Sequence, residues 1–171
     1  MKILLTTLNS QYVHSNPALK YLYTVTADTS ADIDIVEFTV NNQPSYVYGE
    51  ILRANYDMVC FSCYIWNVEQ TKRLAADLKK AKSEMLICIG GPEVTYRGPQ
   101  FAQENPWADF IICGEGEYSF YRLCQVLHER DRLFHTVPGL IYRNEEKIYV
   151  NAQIEPMDFN KLPFPYSMLE C

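Results

Sequence analysis

The sequence predicts an α/β fold built on a doubly wound parallel sheet, and three observations carry that prediction. Short apolar runs of strand length alternate with segments of helical periodicity as far as about residue 130, the pattern of βαβ units whose helices cover both faces of one sheet. Three of the runs stop abruptly in small or turn-forming residues: Met58-Val59-Cys60-Phe61 before Ser62, Met85-Leu86-Ile87-Cys88-Ile89 before Gly90-Gly91-Pro92, and Asp109-Phe110-Ile111-Ile112-Cys113 before Gly114-Glu115-Gly116. In an open parallel sheet, ligands bind outside the carboxyl ends of the strands, so these endings mark one shared edge as the binding edge.

The elements follow in order. Lys2 to Leu8 is a buried-type strand that Asn9-Ser10-Gln11 breaks. Pro17 suits a first helical turn capped by Ser15 or Asn16, and Ala18, Leu19, Leu22 and Val25 carry the apolar stripe. Asp32 to Phe38 alternates as a second strand, and Pro44 opens a helix to about Ala54 that offers Tyr48, Ile51 and Leu52 to the core. After the strand Asp57 to Cys63, Asn67 is placed to cap a long surface helix from Val68 to Lys82. A fourth strand ends at the Gly-Gly-Pro, a short helix spans Gly98 to Glu104, a fifth strand spans Asp109 to Cys113, and a helix spans Glu117 to Arg130. Gly139–Arg143 and Lys147–Asn151 flank Asn144-Glu145-Glu146 as a β-hairpin. Pro156, Pro163 and Pro165 then read as a linker. The expected organisation is a five-stranded sheet domain over 1–137, an appended hairpin over 138–155 and a proline-rich linker over 156–171 that leads toward a further domain.

Composition narrows the function. A chain of 171 residues with 48% hydrophobic content supports one ordinary core. A net charge of −6 and a pI near 5.1 argue against a nucleic-acid partner and an anionic membrane surface. No apolar run reaches the ~20 residues of a membrane span, and no signal-peptide core follows Met1. Cys60, Cys88 and Cys113 lie inside apolar strands, where thiols act as small buried hydrophobes, so a reducing, cytoplasmic setting is expected. Cys60 and Cys63 form a C-x-x-C, but period-2 alternation sends them to opposite faces of the sheet, and no second pair completes a zinc site.

Several motifs sit on the expected binding edge. Gly114-Glu115-Gly116-Glu117 supplies two glycines of a G-x-G-x-x-G fingerprint, but Ser119 replaces the third and two carboxylates oppose a pyrophosphate. Gly90-Gly91-Pro92-Glu93 offers bare backbone to a flat ligand, with Glu93 as a hydrogen-bond acceptor, or a turn that needs φ > 0. Ser62 is positioned to donate to a ligand or to satisfy backbone. His14, in the loop after the first strand, is a candidate metal ligand or proton donor, or a solvated loop residue. No Ser-His-Asp order, Walker loop or paired acid/base carboxylates emerge, so the chain reads as a binding domain without catalytic residues of its own.

Together, the loop with His14, the strand end Ser62-Cys63-Tyr64 and Gly90-Gly91 resemble the D-x-H-x-x-G, S-x-L, G-G signature of cobalamin-binding domains. With Gly90-Gly91-Pro92-Glu93, Gly114-Glu115-Gly116-Glu117 and Leu162-Pro163-Phe164-Pro165-Tyr166, nearly the whole chain resembles the N-terminal cobalamin-binding domain of radical S-adenosylmethionine enzymes. The resemblance implies a Rossmann-like, flavodoxin-like sheet with a slot for the corrin nucleotide tail at its carboxyl edge. Ser62, Gly90 and Gly91 would line that slot. It further implies a binding set of Asn9, Tyr12, Val13, His14, Ser62, Cys63, Tyr64, Gly90, Gly91, Pro92, Glu93, Gly114, Glu115 and Gly116. His14 would be the one candidate cobalt ligand. The partner would be a radical barrel of the same protein, holding S-adenosylmethionine and a four-iron, four-sulfur cluster beyond Cys171.

The match departs from the signature where Tyr12 stands for Asp and Pro17 for Gly, which removes the carboxylate that would set the His14 tautomer. Tyr12, Val13 and Tyr64 are alternative neighbours for the lower face of cobalt. Two rival readings stand beside this one. A cofactor-free protein-interaction or regulatory domain of the same fold would use the tyrosine-rich strand-end loops, and a dinucleotide-binding domain would use the incomplete glycine fingerprint.

Overall fold

The structure, a computed structural model, describes residues 1–11, 15–129 and 132–153. Its elements are β1 (Lys2–Asn9), α1 (Pro17–Val25), β2 (Asp32–Thr39), α2 (Pro44–Ala54), β3 (Met58–Ser62), α3 (Val68–Ala81), β4 (Leu86–Gly90), α4 (Pro92–Thr95), α5 (Gly98–Glu104), β5 (Phe110–Ile112), α6 (Glu117–His128), β6 (Leu140–Asn144) and β7 (Lys147–Val150), with a 3-10 turn at Phe134–Thr136. They form a 7-stranded sheet in the order β2-β1-β3-β4-β5-β6-β7. The first five strands run parallel, as expected. The hairpin pairs antiparallel with β5 and so extends the sheet. The order 2-1-3-4-5 is the flavodoxin-like one, whose chain direction reverses between β1 and β3.

Each strand divides its side chains between two cores. Leu4, Val59, Phe61, Ile87, Ile89 and Ile111 face α2, α3 and α5, where Val47, Ile51, Leu74, Leu78 and Phe101 cover them. Ile3, Leu5, Met58, Cys60, Cys88 and Ile112 face α1 and α6, where Leu19, Phe120 and Leu123 meet them. Burial of each large aliphatic side chain contributes about 1.5–3 kcal/mol, so both helical layers are held chiefly by this packing. Cys60 and Cys63 fall in different cores, as the period-2 reading requires.

Some local expectations change. Asn16 caps α1 by accepting from the Ala18 amide at 3.0 Å. Asn67 stands at the start of α3 but makes no capping bond. Its buried carboxamide instead accepts from the Tyr64 amide at 2.9 Å and donates to the Leu8 and Ser62 carbonyls at 3.0 and 3.2 Å. It thereby joins the carboxyl ends of β1 and β3 at the point where the topology reverses. The short α4 and the turn at Phe134 carry no clear periodicity and are additions to the expected series. The expected linker over 156–171 lies outside the described residues.

Candidate functional site

At the carboxyl edge, a cleft of about 380 Å³ opens between α1 and α6, over the sheet. Register explains its depth. Ser62, Gly90 and Ile112 are neighbours across β3, β4 and β5, and Cys60 pairs with Cys88 one step deeper. On the cleft face these strands therefore present Cys60, Ser62, Cys88 and Gly90, while the opposite face carries the bulky Val59, Phe61, Ile87 and Ile89. Leu19, Leu22 and Phe120 form the walls. Tyr64, Gly91, Pro92, Thr95, Tyr96 and the segment from Gly114 to Glu117 form the rim.

The two adjacent glycines are small for different reasons. A Cβ on Gly91 would collide with the Cys63 backbone, and its φ of +107° is one that only glycine adopts easily. Gly91 thus belongs to the fold. A Cβ on Gly90 would meet only the Ile112 carbonyl oxygen at 3.5 Å and the Ile112 Cβ at 3.9 Å, ordinary contacts. The protein tolerates a side chain at position 90, and what that side chain would fill is the cleft.

Hydrogen bonds tie the rim together. The Gly114 amide donates to Thr95 Oγ1 at 3.2 Å, and that hydroxyl donates to the Gly91 carbonyl at 3.0 Å, so the turns after β4 and β5 form one unit. On the β1 side, the Glu37 carboxylate accepts from Asn9 Nδ2 at 2.6 Å and from the Asn16 amide at 2.8 Å. Asn16 Nδ2 donates to the Tyr64 hydroxyl at 3.1 Å, and the Tyr64 ring stacks on Trp66 at 4.6 Å between centroids. Tyr64 is therefore fixed at the mouth by a contact to each side. Ser62 lines the cleft's mouth, and its carbonyl is held from behind by Thr7 Oγ1 at 3.0 Å and Asn67 Nδ2 at 3.2 Å.

The electrostatics exclude one class of ligand. Glu115 and Glu117 are the charged residues lining the cleft, and no Lys or Arg accompanies them among the described residues. Ser119, at the third fingerprint position, donates to the Pro138 carbonyl at 2.7 Å. Neither feature suits a pyrophosphate. Burial, and next the neighbouring Cys88 thiol, push the Cys60 thiol well up, so Cys60 is uncharged at neutral pH. No cluster of three or more His, Cys, Asp or Glu side chains among the described residues is arranged to hold a metal ion.

Of the expected site residues, the structure gathers Ser62, Tyr64, Gly90, Gly91, Pro92, Gly114, Glu115 and Gly116 around the cleft. Cys63 is fully buried in the opposite core, one residue out of phase with Ser62, and Glu93 is exposed outside the lining, because α4 turns Pro92, Thr95 and Tyr96 to the cleft instead. Asn9 stands one layer back, where its Nδ2 donates to Glu37. Tyr12, Val13 and His14 lie outside the described residues. Sequence reading did not single out Leu5, Leu19, Cys60, Cys88, Tyr96 and Phe120. The available signal was the small residue at every second position of β3 and β4. A larger cavity of about 640 Å³ lies between α2 and α3 on the other face of the sheet, and it contains none of the small strand-end residues.

A flavodoxin-like sheet with an apolar, side-chain-poor slot at its carboxyl edge defines the class of an α/β ligand-binding domain. Residues 3–124 match the family model of the B12 binding domain, and the chain belongs to that family. It is 28% identical over 111 residues to the cobalamin-dependent radical SAM methyltransferase TokK of Streptomyces tokunonensis, an alignment covering 64% of this chain and 16% of TokK. It is 36% identical over 91 residues to the 2-(S-pantetheinyl)-carbapenam-3-carboxylate methyltransferase of Streptantibioticus cattleyicolor, covering 52% of this chain and 13% of that enzyme. Among solved structures, the radical enzyme OxsB with aqua-cobalamin bound shares the fold at a TM-score of 0.75 and 17% identity, over 95% of this chain and 23% of OxsB. The chain thus spans a small fraction of each of these relatives. It is a cobalamin-binding domain similar to those of cobalamin-dependent radical SAM methyltransferases.

Proposed function

We propose that this chain holds cobalamin with its nucleotide tail in the cleft between α1 and α6, as the cofactor domain of a radical S-adenosylmethionine protein. The carrying observation is Gly90, in register between Ser62 and Ile112, where the fold has room for a Cβ and its absence leaves the cleft open. Ser62 would hydrogen-bond the tail at the mouth, Gly90 would admit it, and Leu19 and Phe120 would enclose it. Tyr64, braced by Asn16, would border the cofactor, while Gly91, Pro92, Gly114, Glu115 and Gly116 would shape the rim. Asn9 would act through Glu37, and Cys63 and Glu93 would support the turn after β4. Bound cobalamin would supply a methyl-carrying cobalt, and this chain's residues would orient it and keep water from its buried side.

S-adenosylmethionine and a four-iron, four-sulfur cluster would belong to a barrel outside residues 1–171, which the linker over 156–171 would join to the sheet domain over 1–137 and the hairpin over 138–155. The greater length of the relatives supports that reading. Free, buried cysteines support a reducing, cytoplasmic setting. No helix among the described residues is long and apolar enough to cross a membrane.

Titration of the chain with hydroxocobalamin, followed by corrin absorption and retention on a desalting column, tests the proposal. Retention by the wild type and its loss in Gly90→Leu, with the fold intact by circular dichroism, is the expected result. The spectrum of the retained corrin reports whether the His14 imidazole coordinates cobalt or leaves its lower face to Tyr12, Val13 or Tyr64. Absence of retention would favour the cofactor-free interaction domain.

A further inference from the structure

The inner end of the cleft differs from its mouth. It is lined by Leu5, Leu19, Cys60, Cys88, Ile112 and Phe120, whose side chains contain no oxygen or nitrogen atom. The backbone of β3 and β4 at this depth is committed to the parallel ladder, which continues to the bond from the Cys63 amide to the Gly90 carbonyl. The thiols of Cys60 and Cys88 are buried and are weak hydrogen-bonding groups. Side-chain oxygens are confined to the mouth, at Ser62, Tyr64, Thr95, the exposed Tyr96, Glu115 and Glu117, and Thr95 is already engaged twice.

We infer that this cleft selects corrinoids by the chemistry of their lower base, taking a benzimidazole in preference to a purine. The inference rests on the cobalamin reading above. The ribose joins the base to the rest of the tail, so the ring farthest from the ribose enters first and meets the apolar end. In dimethylbenzimidazole that ring carries two methyl groups and no heteroatom, and burying it removes only apolar surface from water. In adenine the same ring carries an amino group and two ring nitrogens. Inside the cleft these would lose water and find no partner, a loss worth roughly ten- to a hundredfold in affinity. Site complementarity of this kind discriminates strongly only when the unmatched group is polar, which is the case here.

The test compares three corrinoids on the wild-type chain by absorption titration: hydroxocobalamin, its analogue with adenine as lower base, and cobinamide, which has no base. The expected result is that hydroxocobalamin binds at least about tenfold more tightly than either of the others. Cys88→Ser, which sets a hydroxyl on the cleft floor at nearly unchanged volume, should narrow the gap between the two bases. Equal affinity for cobalamin and the adenine analogue, with cobinamide weaker, would overturn the inference while leaving the tail in the cleft. Cobinamide binding as tightly as cobalamin, or retention of none of the three, would overturn the cobalamin reading itself.

Discussion

Gly91 lies so close to the backbone of Cys63 that the smallest side chain at position 91 would strike the Cys63 carbonyl and come within 2.9 Å of its amide nitrogen. The turn after β4 is thereby pressed against the end of β3. Gly91→Ala is expected to destabilise the protein by about 2–4 kcal/mol, from the collision together with a backbone conformation that only glycine adopts easily. Gly90→Ala, one residue earlier, should cost less than about 1 kcal/mol. Urea denaturation midpoints of the two variants measure the contrast, and similar losses in both would refute the division of roles between the glycines.

Asn67 ends β1 and β3 together through bonds to Leu8, Ser62 and Tyr64. Replacement by Ala takes the donor from the Leu8 carbonyl and the acceptor from the Tyr64 amide, while the Ser62 carbonyl keeps its bond from Thr7 Oγ1 at 3.0 Å, so the expected loss is about 1–3 kcal/mol. If Asn67 acted as a helix cap alone, Asn67→Ser would restore the stability. Because the reach of the carboxamide is what matters, Ser should recover little of it.

At the opposite edge of the sheet, the Lys79 ammonium meets Asp109 at 2.8 Å and also donates to the Met85 carbonyl. The same carboxylate accepts from the Ile87 amide, so the pair pins α3 to the starts of β4 and β5. Both side chains are about one-fifth exposed, which keeps the expected loss in Lys79→Met to about 1–3 kcal/mol. Cobalamin retention at low temperature should be unchanged, since the pair is remote from the cleft.

Alkaline pH should unfold the chain through its buried acids. Burial is the main cause that pushes the Cys63 and Cys124 thiols from 9.0 up to about 12. Burial, then the hydrogen bond to Asp34, raises Tyr56 from 10.0 to about 12. All three hold their protons more tightly in the folded state. Their contribution is therefore fully present below pH 9 and is lost as pH rises toward 12. Denaturation midpoints should hold steady from pH 7 to 8.5 and fall above pH 9. The buried thiols should also resist iodoacetamide at pH 8 until denaturant is added.

Trp66 stacks on Tyr64 beside the cleft, whereas Trp107 packs against Phe101 ahead of β5, at the other edge of the sheet. A corrin absorbs where tryptophan emits. Bound cobalamin should therefore quench Trp66 more strongly than Trp107, and Trp66→Phe should remove most of the quenching while Trp107→Phe should not. Equal quenching of both would speak against a cofactor at this edge.

Much of the fold is written locally. Apolar runs, Pro17 and Pro44 at helix starts, and Asn16 as a cap depend on neighbours within a few residues, so chain order determines them, and the observed helices begin where those signals stand. The turns after β4 and β5 are equally legible, because glycine and proline act on their own backbone. Which side of the sheet bears the cleft is a different matter. It depends on the strand order and on the register that sets Ser62, Gly90 and Ile112 side by side, and these arise from pairing between residues far apart in sequence. For that reason Cys63, adjacent to a true cleft residue along the chain, turns away from it. Leu19 and Phe120, about a hundred residues apart, meet across it only when α1 and α6 have packed on the same face.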